Sequence, residues 1–176
     1  QALSMRSLGR PYAPKHLKEM FHDENLDYTT IRNYRKEIME ECLQKNGIEL
    51  KKGAVELLEF LKTKNVKRAI ATATDEERAR KYLKQIGLEP YFDKIICATM
   101  VEYGKPSPDI YEYACRQLKL LPEECMAVED SPNGVLSAYR AGCKVVMVPD
   151  QTEPEEALKE ILYGCVENLL EIRKYF

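Results

Sequence analysis

From residue 65 onward, short apolar runs alternate with stretches of helical period, and this alternation constrains the fold more than any other feature of the chain. The runs are Arg68-Ala69-Ile70-Ala71-Thr72, Lys94-Ile95-Ile96-Cys97-Ala98, Cys125-Met126-Ala127-Val128 and Lys144-Val145-Val146-Met147-Val148. Helical patterns follow them over 75–86, 109–120, 133–141 and 153–162, and 162–166 reads as a last edge strand before a helix over 167–174. Apolar runs without a polar break suit strands buried on both faces. Strands that alternate with helices require right-handed crossovers, and hence a doubly wound, Rossmann-type α/β core with a parallel sheet covered on both sides. The helix starts carry local signals. Thr74 with Glu77 and Thr152 with Glu155 have capping-box spacing, and Ser107-Pro108-Asp109 joins a cap type, a first-turn proline and a first-turn acid.

The front of the chain has a different pattern. Between Ala13 and Leu50, the residues Ile31, Tyr34, Ile38, Met39, Cys42 and Leu43 recur at three- and four-residue steps, which predicts an amphipathic helix ended by Asn46-Gly47. A further helix is expected over 51–63, with Val55, Leu58 and Leu61 on one face. The division is therefore 1–50, helical, and 51–176, α/β. The 27 Lys+Arg balance 29 Asp+Glu, so no basic face suggests nucleic acid, and no apolar run approaches membrane-spanning length. Six cysteines without a CxxC pair or zinc-like spacing read mostly as small buried hydrophobes in a reduced, cytoplasmic protein.

Chemistry-bearing residues gather at the ends of the apolar runs. Glu129 and Asp130 close the third run, and Ser131-Pro132 then opens a helix as cap and first-turn residue. The two acids thus sit at the carboxyl end of a strand, where open α/β sheets keep their ligands. Adjacent strand residues point to opposite faces, so the two acids have different tasks. Thr72 closes the first run, and Lys105 precedes two prolines that restrict its loop. A hydroxyl, an ammonium and a carboxylate around one crevice suit a phosphoryl group held against a divalent cation. Taken singly, Thr72 is as well a β-branched core residue, Lys105 a solvated loop lysine and the acid pair a solvated turn. His16 and His22 have no partner at ligand spacing, Tyr103, Tyr111 and Tyr113 read as packing around the Lys105 loop, and Asp150, after the run ending Val148-Pro149, is placed either at the border of the same crevice or, as the preferred reading, as a turn acid.

The ordered combination resembles the haloacid dehalogenase superfamily, in its β-phosphoglucomutase-like branch with a helical cap, over essentially the whole chain. Ala69-Ile70-Ala71-Thr72-Ala73-Thr74 is similar to the second family motif, Gly104-Lys105-Pro106-Ser107-Pro108-Asp109 to the third, and Val128-Glu129-Asp130-Ser131-Pro132-Asn133-Gly134 to the fourth. The resemblance implies that Thr72 and Lys105 meet the transferring phosphate and that Asp130 is a Mg²⁺ ligand. Glu129 would support the lysine or the metal's water shell. Ala73, Ser131 and Asn133 would contact substrate, and Arg10, in Gly9-Arg10-Pro11, would reach a distal anion. Residues 1–50 would be the remainder of the cap, and Leu50 to Gly53 a hinge strand.

One motif has no match. The family's first strand ends in Asp-x-Asp, nucleophile and general acid/base, whereas Glu19, Asp23, Glu24 and Asp27 follow no apolar run. With Gln1 at the start, the chain is expected to be a segment of a longer protein whose core, 51–176, lacks its first central strand. Alone it would turn over slower by roughly 10⁴- to 10⁶-fold. The expected activity is Mg²⁺-dependent hydrolysis of a small phosphomonoester such as a sugar phosphate, through an aspartyl-phosphate on an aspartate outside the chain. Hexose phosphate mutase chemistry is the alternative, and a non-catalytic binding remnant is the alternative of another class. A receiver domain would place its acid pair first, against the order Thr72, Lys105, Glu129-Asp130. The expected partner is a small phosphorylated metabolite, with no nucleic acid and no membrane, for a monomer.

Overall fold

Five short strands run parallel within two groups in the computed structural model, which describes residues 2–176; residue 1, counted by sequence with the helical front, lies outside them. Strand β1 (Ala69–Thr72) pairs with β2 (Lys94–Cys97), Ala69 opposite Lys94 and Thr72 opposite Cys97. Strand β3 (Met126–Glu129) pairs with β4 (Lys144–Met147), and β4 with the two-residue edge strand β5 (Gly164–Cys165). Among the described residues, no ladder joins β1 to β3. Both strands instead border a cavity of about 750 Å³.

Helices cover both faces, and the pleat of β4 shows how. Val145 and Met147 point to one side, into a core with Ile110 and Ala114 of α5 (Asp109–Leu118) and Val135 and Ala138 of α6 (Pro132–Arg140). Val146 and Val148 point to the other, against Leu57 and Leu61 of α3 (Ala54–Thr63) and Ile172 of a 3-10 turn, Leu169–Tyr175. This alternation is what a strand buried on both faces produces. Each such side chain contributes about 1.5–3 kcal/mol by leaving water. A third cluster sets Ala79 of α4 (Glu76–Gln85) against Ile95 and Cys97. Cys97, Cys115 and Cys143 are buried free thiols, whereas Cys42 and Cys165 are exposed. Among the described residues, no helix is long and apolar enough to cross a membrane.

The helical front departs from its periodicity. Two helices, α1 (Tyr12–Phe21) and α2 (Tyr28–Asn46), replace the single one expected over 13–50. His22 ends α1 in the left-handed region, and the Asp27 carboxylate then caps α2 by accepting from the N–H groups of Thr29 and Thr30. The apolar stripe of α2 does not enter the core, for Ile31, Tyr34, Ile38 and Met39 are exposed. Polar contacts hold the helix instead. Glu40 accepts from Lys81 and, at 2.9 Å, from the Tyr82 hydroxyl, and Lys36 lies 3.4 Å from Asp75.

Other boundaries shift for local reasons. Leu50 to Gly53 is not a strand. Gly53 takes φ +86°, where a side chain would also run into Leu170, and α3 starts only at Ala54. Asp75, not Thr74, caps α4, because its carboxylate takes both the Arg78 N–H at 3.3 Å and the Arg78 guanidinium at 2.9 Å. A charged acceptor outcompetes a hydroxyl there. Pro108 itself stands at the cap position of α5, with the Ser107 hydroxyl donating to Asp109 at 2.5 Å. The 153–162 helix shrinks to α7 (Glu156–Lys159), since Pro154 keeps the preceding residue extended, and the Thr152–Glu155 box does not form. The segment expected as helix 167–174 is the 3-10 turn already named.

The surface is large for the mass. The chain exposes 10704 Å², whereas a compact protein of 20.4 kDa exposes about 8,800 Å².

Candidate active site

Thr72 and Glu129 end β1 and β3 at one rim of the sheet, and Thr72, Ala73, Lys105, Glu129 and Asp130 all line the cavity between those strands. Thr72 leaves the strand in a turn that its own hydroxyl fixes, accepting the Thr74 N–H at 3.1 Å. Ala73, between them, is exposed at the rim.

Lys105 is buried, 5% exposed, and so is Glu129, at 7%. The ammonium donates to the Ala71 carbonyl at 3.1 Å and to Glu129 Oε1, so it ties the end of β1 to the end of β3. Its Nζ also lies 5.2 Å from the Tyr111 ring centroid, and the Tyr111 hydroxyl donates to the same Glu129 oxygen. Burial first, and then the Glu129 charge, push the Tyr111 phenol well above its usual range, so it stays a donor. The Glu129 carboxylate rests against the first turn of α6, where the helix dipole favours an anion. Gly134 permits this approach, because any Cβ there would fall on the carboxylate. A buried charge pair persists only with its remaining hydrogen-bond sites met, and here the Ala71 carbonyl and the Tyr111 phenol meet sites on the two partners.

Asp130 turns the other way. Its carboxylate takes Arg6 Nη2, which also donates to Asp150 at 2.7 Å, and Lys51 lies 2.9 Å from Asp150. Lys51 and then Arg6 hold the Asp150 carboxyl below the usual carboxylate range. Arg6 Nη1 is buried without a partner. Two strand-end carboxylates thus converge on one positive group. This oxygen-only donor set fits Mg²⁺, which commonly takes one or two carboxylates and completes its shell with water and phosphate. Among the described residues, no three His, Cys, Asp or Glu side chains gather, so a denser, all-protein cation cage is absent.

The remaining candidates lie around this centre. Ser131 is fully buried and caps α6, accepting the Gly134 N–H at 3.3 Å. Asn133 donates to the Arg6 carbonyl at 2.9 Å. Arg10 is exposed, and its carbonyl accepts the Gly104 N–H at 2.6 Å while Gly9 donates to the Lys105 carbonyl at 2.8 Å. Side chains on Gly9 or Gly104 would collide with the facing backbone, so both positions need glycine. His16 pairs with Ser4 at 2.7 Å. Sequence reasoning missed Arg6 and the Tyr111 hydroxyl, and set Asp150 aside after weighing it for the crevice. Nothing in Met5-Arg6-Ser7 marks Arg6, whereas the strand-end position of Asp150 carried a signal that was read as a turn acid.

The sequence profile of the haloacid dehalogenase-like hydrolase family matches residues 5–148. A phosphorylated carbohydrates phosphatase of Thermotoga maritima is 37% identical over 115 residues, covering 64% of this chain and 53% of the relative. The chain therefore spans about half the length of that curated relative. A hydrolase from Pseudomonas syringae superposes with a TM-score of 0.81 at 27% identity, covering 97% of this chain and 78% of that one. A Thermotoga maritima structure, described provisionally as a beta-phosphoglucomutase, gives 0.71 at 30% identity, covering 98% and 81%.

Proposed function

This chain belongs to the haloacid dehalogenase-like hydrolases, beside β-phosphoglucomutase-like relatives, and from that premise we propose that it carries the phosphate- and metal-binding side of a phosphatase acting on small phosphorylated carbohydrates. The observation that carries the proposal is the meeting of Thr72, Lys105 and Asp130 at the rim of one cavity, on the ends of β1 and β3 and the loop between them.

In this reading the Thr72 hydroxyl and the Lys105 ammonium bind the equatorial oxygens of the transferring phosphoryl group. Donors aimed where charge develops are worth most in a site with little water. Glu129 and Tyr111 act through Lys105, keeping it aimed at the phosphate, and Glu129 would also border the metal's shell. Asp130 would hold Mg²⁺, with Asp150 beside it and Arg6 displaced toward the substrate anion. When bound, Mg²⁺ would neutralise the phosphate and orient it. Ala73 and Asn133 border the substrate, and Arg10 stands on the 1–50 segment that would close over it as a cap. In this reading the nucleophile is an aspartate that residues 1–176 do not supply: its carboxylate would attack phosphorus as the ester P–O bond breaks and the sugar leaves as its alcohol, and water would then cleave the aspartyl-phosphate to release phosphate and restore the carboxylate.

The test measures phosphate release from hexose, pentose and hexitol phosphates by a protein that carries this chain together with an Asp-x-Asp strand, with Mg²⁺ and after chelation. Lys105→Met should lower kcat on the order of 10²- to 10³-fold, and chelation should abolish turnover. Release that survives loss of either Lys105 or Asp130 overturns the assignment. An isomerised sugar phosphate, formed without free phosphate, would make the protein a mutase instead.

A further inference from the structure

We propose that Cys115 and Cys143 are a redox pair, seated so that a peroxide joins them as a disulfide and a thiol reductant frees them again. Three free thiols meet beside the amino ends of β3 and β4. Cys115 lies in the last turn of α5, Cys125 stands immediately before β3, and Cys143 immediately before β4. Cys115 Sγ is 3.9 Å from Cys143 Sγ, and it also hydrogen-bonds the Cys125 thiol. Each backbone is held in place. The Cys115 carbonyl accepts the Leu120 N–H at 3.1 Å, the Cys143 N–H donates to the Ala138 carbonyl at 3.1 Å, and the Cys125 carbonyl accepts the Lys144 N–H at 3.0 Å. Disulfide sulfurs stand about 2.05 Å apart, so the pair has to close by roughly 2 Å, a side-chain movement rather than an unfolding. Among the described residues, no three His, Cys, Asp or Glu side chains could hold a metal ion, so the cluster is not a cation site.

The three thiols are not equivalent. The hydrogen bond from Cys115 favours the Cys143 thiolate and holds that thiol below its usual range, whereas the same bond, and then burial, push Cys115 up. Burial, and then Cys115, push Cys125 up to about 12. The thiolate is the reactive form, so Cys143 reacts first and Cys125 is spared. The Cys143 sulfur attacks one peroxide oxygen, the O–O bond breaks, and Cys143 becomes a sulfenic acid while the departing hydroxide takes up the proton that Cys143 gave up. The Cys115 sulfur then attacks the Cys143 sulfur, the S–O bond breaks, and a second water leaves with the Cys115 proton. Two thiols are oxidised and one peroxide is reduced to two waters. The bond joins residues 28 apart in sequence and ties the end of α5 to the entry of β4. Tyr111 lies one turn before Cys115 on the same buried face, so the bond pins the helix that also carries the Glu129 partner.

The inference stands apart from phosphoryl transfer, since no turnover is read. Hydrogen peroxide in small molar excess is added to the folded 176-residue chain carrying Cys42→Ser and Cys165→Ser, which remove the two exposed thiols. The remaining thiols are then alkylated in denaturant and the peptides mapped by mass spectrometry. The peptides of Cys115 and Cys143 should appear joined, two hydrogens lighter than their sum, with Cys125 alkylated. Closing a loop of this length should raise the melting temperature by about 5–10 °C, and dithiothreitol should reverse the rise. Amide exchange over 109–118 should slow in the oxidised form. Cys115→Ala and Cys143→Ala should each abolish the peroxide-dependent rise, whereas Cys125→Ala should keep it. A Cys115–Cys125 link, three thiols left free, a link that forms only in urea, or a melting temperature that the link leaves unchanged or lowers would each overturn the proposal.

Discussion

Glu129 and Asp130 are neighbours in sequence with opposite surroundings. One is buried against Lys105 and Tyr111, and the other meets Arg6 at the rim. Strand alternation made that split legible in the sequence, and the apolar run before them fixed which end of the strand they occupy. What alternation could not supply was the partner on each side, because Tyr111 and Arg6 lie 18 and 124 residues away. The buried pair leads to a sharp expectation. Glu129→Gln leaves the Lys105 ammonium in the interior without its counter-charge and should cost about 3–5 kcal/mol of stability, whereas Lys105→Met with Glu129→Gln removes both charges and should cost much less. Urea denaturation of the two single variants and the double variant measures the difference. Nearly additive losses would mean that the two groups do not depend on each other.

At the scale of elements, the strands and their following helices were readable because each apolar run is bounded by its own turn residues. The helical front was less so, since the residues whose spacing was read there, Ile31 to Leu43, all lie within α2 and carry no information on where α1 ends. Asp27 marks the break. The Thr30 hydroxyl, at 2.6 Å, and the backbone N–H groups of Thr30 and Thr29 hold its carboxyl below the usual range. A carboxyl with a lowered folded pKa stabilises above its unfolded value, about 3.9, and loses that contribution as pH falls through the folded value. Acidification from pH 5 to pH 2 should therefore fray the first turn of α2, with faster amide exchange at Thr29 and Thr30, and Asp27→Asn should keep the cap but lose the pH dependence. The seam between Gly9–Arg10 and Gly104–Lys105 is a second element-level feature. Gly104→Ala should part these backbones and lower the melting temperature, with faster amide exchange at Gly9 and at residue 104.

For the whole molecule, the doubly wound arrangement followed from alternation alone, while the space between β1 and β3 is invisible in composition or period. It arises from pairing, a property of strands that are distant in sequence. Stability should accordingly be uneven. Strand β4 is bonded on both edges and buried on both faces, whereas β1 is bonded on one edge and only half-buried. Native-state exchange should be slowest in 144–147 and faster by about 10- to 100-fold in 69–72, because opening one ladder exposes less than opening two. Equal protection in the two strands would show that the two halves unfold as one unit. The glycine seam gives the molecule a mechanical property as well. Two backbone hydrogen bonds fasten the start of the helical front directly to the loop whose lysine spans both sheet halves. A swing of those helices is thereby geared to the ammonium, so that whatever pries the front open also drags the positive charge off its mark.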